Sequence, residues 1–235
     1  MRRARHGVAH SSLTTMPIGD VLDARKEALD VVVEECARVI FDGGTIIFPN
    51  ETSYGIACDP YRLASVDAVY HAKRRPDDKP LTLHVATPAE FLEFAPGNAS
   101  AILAAKRLLP GPVILIVRKP EFISDEVTAG MVTLGFRVPD DPLATAILER
   151  CGPLAVTSAN QSGLPPYRGG DDISELPDAD LLVLNGPTRY EGEASIVDLS
   201  VTPARLLREG VMKFDRISEL LGSVERHTVK VRTKE

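Results

Sequence analysis

Apolar residues recur along this chain with two different periods. Over 20–42, Ala24, Ala28, Val31, Val32, Cys36, Val39 and Ile40 follow helical spacing, and Gly43-Gly44 stops the run, which predicts one helix. Thr45 to Pro49 is a short apolar strand, followed by a polar turn at Asn50-Glu51-Thr52-Ser53. A second helix is predicted over 63–74, stopped by Pro76. Leu81 to Ala86 reads as a strand, 88–109 as one or two helices, and 142–151 as a helix. Further strands are predicted at 112–118, 131–138, 153–158, 181–185, 195–199 and 204–208. Several strands follow one another with no helical crossover between them, so a mixed α/β sheet fits better than a purely parallel one. Neither a repeat nor a linker interrupts 17–215, which is read as one domain. Residues 1–16 are expected to be a tail or short presequence, and 216–235 a C-terminal helix and a basic tail that frays from about Gly222.

Composition narrows the chemistry. The chain has 235 residues and a formal net charge of -6, which excludes a protein that coats polyanions generally. Aromatics are 5% and tryptophan is absent, so broad stacking platforms for single-stranded bases are excluded as well. Cys36, Cys58 and Cys151 are widely spaced, which favours reduced core cysteines over a disulfide framework or a zinc site. The five histidines form no metal-ligand spacing. No apolar run approaches the roughly 18 residues of a membrane span, and Arg2, Arg3 and Arg5 precede no secretory apolar core. A cytoplasmic location is the expectation.

Against this acidic background stands a cationic knot, Lys73-Arg74-Arg75-Pro76-Asp77-Asp78-Lys79-Pro80. A helix C-terminus attracts cations through its dipole, so a solvated helix end is one reading. The two prolines restrict the backbone and lower the cost of presenting the cations, which favours a bound anion. Pro153 to Gly163 is an apolar strand that runs into a polar turn, Ser158-Ala159-Asn160. It reads either as a self-satisfied turn or as a ligand site at a strand end. Arg137 and Arg208 end two other predicted strands, and a buried arginine needs an anion, from a ligand or from an internal acid such as Asp198 or Glu193. His84, alone on a strand, reads first as a core residue. Neither a GxxxxGK[ST] nor a GxGxxG loop is present, so side chains would have to hold any nucleotide.

Taken in order, these segments resemble the YrdC-like family, the threonylcarbamoyl-AMP synthases of tRNA modification. The resemblance rests on Gly43-Gly44-Thr45 to Pro49, Glu51-Thr52, Tyr54-Gly55, Lys73 to Leu81, His84, Pro110-Gly111-Pro112, Val127 to Gly130, Arg137-Val138-Pro139, Ser158-Ala159-Asn160, Ser162-Gly163, Ser195 to Asp198, and Leu207 to Gly210. It implies a single-domain α/β fold, a twisted mixed sheet with flanking helices and a basic concave surface. It also implies a nucleotidyltransferase that joins L-threonine, bicarbonate and ATP, with Mg²⁺ held by the ATP and by no protein side chain. Its product, threonylcarbamoyl-adenylate, would pass to a downstream threonylcarbamoyl-transferase machinery that modifies adenosine 37 of tRNAs reading ANN codons. By the same resemblance Lys73, Arg75, Lys79, Thr133, Ser158, Asn160 and Arg208 would bind ATP. Asn50, Thr52, His84, Arg137 and Ser195 would form the threonine pocket, with no covalent nucleophile. The chain departs from the family pattern at Asn50, Ile114 and Ala194, where hydroxyl-bearing residues are usual. The alternatives are a module that binds double-stranded RNA or tRNA through the same concavity, and a carbamoyl-transfer domain of the hydrogenase-maturation type.

Overall fold

The computed structural model describes residues 18–227, so the tail or presequence expected over 1–16 lies outside the described residues. The described chain begins with β1 (Asp20–Asp23), α1 (Leu29–Phe41), β2 (Ile46–Pro49), β3 (Tyr54–Cys58) and α2 (Leu63–Lys73). The middle holds β4 (Thr82–His84), α3 (Pro88–Glu93), α4 (Ala99–Leu108), β5 (Val113–Arg118), α5 (Asp125–Thr128), β6 (Thr133–Arg137) and α6 (Pro142–Cys151). The last part holds β7 (Leu154–Ser158), β8 (Leu181–Leu184), β9 (Ser195–Asp198), β10 (Ala204–Arg208), α7 (Phe214–Leu221) and β11 (Val224–Arg226).

All the strands among the described residues join one mixed 11-stranded sheet, in the order β1-β8-β2-β3-β7-β4-β6-β5-β9-β10-β11. The fold is α/β, as expected, with local corrections. The single helix read over 20–42 is a strand followed by a helix: Asp20–Asp23 pair in parallel with Leu181–Leu184, and the helix begins only at Leu29. β3 escaped the pattern because every one of its five residues is buried, so it shows no alternation. Within the described residues the fraying expected from Gly222 gives way to β11, which adds to the sheet beside β10, while 228–235 lie outside the described residues. The boundary expected at 215/216 falls inside α7, whose Ile217 is fully buried in the common core.

The two faces of the sheet have different fates. α1 and α6 pack on one face of the β8-β2-β3-β7 half, around Phe48, Ala57, Leu154, Val156, Leu181 and Val183. Helices α2 to α5 and α7 cover the opposite face, where Phe91, Leu108 and Ile217 meet Leu83, Phe136, Leu115, Val197 and Leu206. Residues flanking these core positions in β4, β6, β5 and β9 point the other way, because side chains alternate along a strand. The face they form carries the functional site. Among the described residues no helix is long and apolar enough to cross a membrane.

Candidate functional site

A cavity of about 350 Å³ occupies the uncovered face of β4, β6, β5 and β9. Strand register determines what lines it. Thr82 and His84 stand beside Gly135 and Arg137, and Thr82 also stands beside Val156 of β7. Ile114 and Ile116 project to the same side, because Leu115 pairs with Phe136 on the core face, and Ile196 pairs with Ile114. Two glycines let the walls close in. A Cβ on Gly135 would stand 2.9 Å from Ile114 Cγ2, and one on Gly55 would stand 2.6 Å from Val156 Cγ1 and 3.3 Å from Asn50 Nδ2.

One end of the cavity is buried and polar. The Asn50–Ser53 turn joins β2 to β3 and is held from outside: Tyr190 N–H donates to Glu51 O at 2.9 Å, and Arg168 Nε donates to Thr52 O at 3.3 Å. Arg137, 5% exposed, reaches the turn from the end of β6. Its Nη2 donates to Thr52 Oγ1 at 2.8 Å and lies 3.0 Å from Glu51 Oε1. That ion pair lacks hydrogen-bond alignment, so both Glu51 oxygens keep unused lone pairs. Asn50 Oδ1, His84 Nδ1 and Arg137 Nε are also buried without a partner. Buried polar atoms are rarely left unpaired, and four residues at one place, each with an unpaired polar atom, fit the outline of a polar ligand. Burial, reinforced by the Arg137 charge, holds the His84 pKa well below the usual imidazole value, so the ring is neutral.

The other flank is cationic and open. α2 ends at Lys73, and Arg74 takes a left-handed conformation (φ 48°) that turns the chain into the knot. Arg75 braces that loop, donating from Nε to Lys79 O at 3.0 Å and from Nη2 to Pro80 O at 2.6 Å. Lys79 is exposed and has no side-chain partner among the described residues, and no ion pair there joins Asp77 or Asp78 to the knot. Across the cavity a bulge between Leu206 and Arg208 breaks the alternation of β10 and sets Arg208 opposite Ile196. Without it, Arg208 would share the core face of Leu206. Arg208 donates to Ala194 O at 2.9 Å and lies 3.1 Å from Glu193, the internal acid weighed as its partner in the sequence.

Eight of the twelve predicted site residues line this cavity: Asn50, Thr52, Arg75, Lys79, His84, Arg137, Ser158 and Arg208. The other four do not. Ser195 is a correction: its neighbours Ala194 and Ile196 line the cavity, whereas Ser195 points to the core side beside Val113. Its hydroxyl donates to Met212 O at 2.6 Å and accepts from Gly210 N at 3.0 Å, so it is engaged away from the cavity. Thr133 lies on the cavity face but one pleat beyond Gly135. Lys73 is 1% exposed and directed at the carbonyls of Ser158 and Asn160. The Asn160 amide donates within its own turn, to Gln161 O and Leu164 O.

Sequence reasoning did not single out Glu51 as a site residue. The signal was available, because a buried arginine needs an acid and Glu51 is the one acid in the turn that Arg137 reaches. Among the described residues no group of three or more His, Cys, Asp or Glu side chains is placed to hold a metal.

Comparison with known proteins agrees with this architecture. The family model Sua5_yciO_yrdC, described as "Telomere recombination", matches residues 38–210. The chain is 32% identical over 202 residues to the threonylcarbamoyl-AMP synthase of Bacillus subtilis, covering 83% of this chain and 58% of that protein. It is 34% identical over 192 residues to the threonylcarbamoyl-AMP synthase of Escherichia coli, covering 80% and 96%. The crystal structure of Pyrococcus abyssi Sua5 complexed with L-threonine superposes with a TM-score of 0.79 at 30% identity, covering 89% of this chain and 62% of that one. The chain thus spans about three fifths of the Bacillus and Pyrococcus proteins and nearly all of the Escherichia one. It belongs to the Sua5/YciO/YrdC family.

Proposed function

We propose that this chain is an L-threonylcarbamoyladenylate synthase, which makes threonylcarbamoyl-AMP and pyrophosphate from L-threonine, bicarbonate and ATP. The observation that carries the reading is the asymmetry of one cavity. A buried arginine sits among unpaired polar atoms at one end, and exposed Lys79 with half-buried Arg75 and Arg208 lines the other. An amino acid suits the first, its carboxylate meeting Arg137 and its amino group meeting the acceptors of Asn50 and Glu51. A triphosphate suits the second, at Lys79, Arg75 and Arg208. The relatives named threonylcarbamoyl-AMP synthase, and the family member solved with L-threonine, support the same assignment.

The chemistry asks for positioning more than for reactive side chains. The threonine nitrogen bonds to the carbon supplied by bicarbonate, with loss of water, to give an N-carboxylate. An oxygen of that carboxylate attacks the α-phosphorus in line, and the bond to the β-phosphate oxygen breaks to release pyrophosphate. An anion must approach a triphosphate, so charge neutralisation and orientation supply most of the rate. Arg137 holds the nucleophile by its far end, and the flat floor of Thr82, Gly135 and Ile116 leaves room for the reacting groups. Glu51 and Glu193 are both paired to arginines, so an ion fits best as Mg²⁺ carried in by ATP, where it neutralises phosphate charge. The adenylate would then pass to a tRNA-modifying transferase.

The test is direct. The protein is incubated with ATP, Mg²⁺ and bicarbonate plus threonine, serine or other amino acids, and the adenylate is identified by mass spectrometry. Pyrophosphate release should require threonine and bicarbonate together. ATP turnover indifferent to both, or salt-sensitive RNA binding with no adenylate formed, would overturn the assignment.

A further inference from the structure

We propose that Lys73 is a positioning residue: it latches the Ser158–Asn160 turn to the end of α2, so that Ser158 faces the cavity, and does not itself hold phosphate. This rests on the ATP site proposed above but assigns Lys73 differently from its neighbours in the knot. The left-handed Arg74 divides the knot in two. Before it, Lys73 turns inward and is 1% exposed; after it, Arg75 and Lys79 line the cavity.

The hydrogen-bond count supports the latch. An ammonium has three N–H donors and no acceptor. Lys73 Nζ donates to Ser158 O, to Asn160 O at 2.6 Å and, with a longer contact of 3.4 Å, to Asn160 Oδ1. Nothing is left over for a phosphate oxygen. Two further bonds sew the same segments together: Ser162 N donates to Lys73 O at 3.1 Å, and Gln161 Nε2 donates to Ala72 O at 3.0 Å. The latched turn is the one that presents Ser158, which pairs with Gly55 at the cavity wall. Burial, reinforced by nearby Arg75, pulls the Lys73 pKa down to about 7. The neutral amine keeps two donors, enough for both carbonyls, so the latch does not need the charge that a phosphate contact would use.

Binding of a phosphate series separates the two roles. Affinities of wild type, Lys73→Met and Lys79→Ala are measured for adenosine, AMP, ADP and ATP. Lys73→Met should weaken all four by one common factor, about tenfold, the worth of the hydrogen bonds that hold the turn. Lys79→Ala should leave adenosine unchanged and lose more with each phosphate. In a cycle with Ser158→Ala, Lys73→Met should cost AMP affinity clearly less than it does in wild type, because Lys73 acts through that turn. A Lys73→Met loss that is absent for adenosine and grows with phosphate number overturns the proposal, and so does full additivity with Ser158→Ala. A second measurement needs no variant: mild acetylation of the wild-type protein without ATP should modify Lys79 and spare Lys73, and added ATP should slow the reaction at Lys79 while Lys73 stays unmodified. Acetylation of Lys73 as fast as Lys79 also overturns the latch. If wild type binds none of the four ligands, the synthase reading fails instead, and the acetylation result still decides the latch.

Discussion

At one end of the cavity Arg137 is 5% exposed and touches Glu51; at the other, Lys79 is in solvent and Arg208 is about two-fifths exposed beside Glu193. Both ends offer cations to an anionic ligand, yet their energetics differ. Water solvates the open cations in the free protein, so they are ready for phosphate at little cost and respond to salt. The buried arginine cannot wait alone. Taking an ion out of water costs several kcal/mol, roughly, and Glu51 offsets that cost in the free state. The buried end therefore couples stability to function, whereas the open end separates them. Removing a group at each end should show this.

The largest effect is expected at Arg137. Arg137→Met strands Glu51 as a buried carboxylate, and breaking a buried pair from one side costs about 3–5 kcal/mol. Urea unfolding should show that loss, and threonine-dependent pyrophosphate release should vanish. The double variant Arg137→Met, Glu51→Leu should recover most of the stability and none of the activity. If the single variant unfolds like wild type, the pair is not dry and the comparison between the ends collapses.

The next effect concerns the floor between the ends. Gly135→Ala places a methyl 2.9 Å from Ile114 Cγ2, and Ile114 is β-branched and stiff. Overpacking of this kind costs about 1–3 kcal/mol. Ile114→Ala in the same background should return much of it. A Gly135→Ala variant with an unchanged urea midpoint would mean that the floor is looser than the contact implies.

These two positions also show what was legible in the sequence and what was not. Most of the strands that carry the site were readable from their apolar runs, and Arg137 and His84 could be placed on them because both sit inside regular β elements. Ser195 could not be placed: deciding which face it takes requires its pairing with Val113, a contact between strands about eighty residues apart. Arg208 depended on a bulge, which shifts parity and leaves no mark in an apolar-polar pattern. The cationic knot was visible as a charge surplus, but a count of charges cannot say that Lys73 turns inward at a left-handed Arg74. Tyr54 to Cys58 failed for a simpler reason, since a strand buried on both faces has no alternation to read.

A third effect follows from His84. Its folded-state pKa lies below the unfolded value of about 6.5. As pH falls through 6.5 the unfolded chain takes up a proton that the folded ring refuses. Its contribution is therefore complete above that pH and is lost below it, at up to about 1.4 kcal/mol per pH unit. His84→Gln should flatten the stability profile between pH 6.5 and 5.5 by about that amount, relative to wild type. Parallel profiles would place the imidazole in contact with solvent.

The smallest effect on stability belongs to the open end, and it tests the comparison from the other side. Lys79 has no side-chain partner among the described residues, so Lys79→Ala should move the unfolding free energy by no more than about 0.5 kcal/mol. ATP affinity should still fall about tenfold, the worth of one charge-assisted contact. That loss should shrink as salt rises from 0.05 to about 0.5 M, because a charge in solvent is screened over roughly 10 Å or less. The Arg137 defect should persist at every salt concentration, since its partner is buried. A Lys79→Ala penalty that ignores salt would mean that the knot closes over the phosphates and excludes water, making the bound state of the open end resemble the buried end.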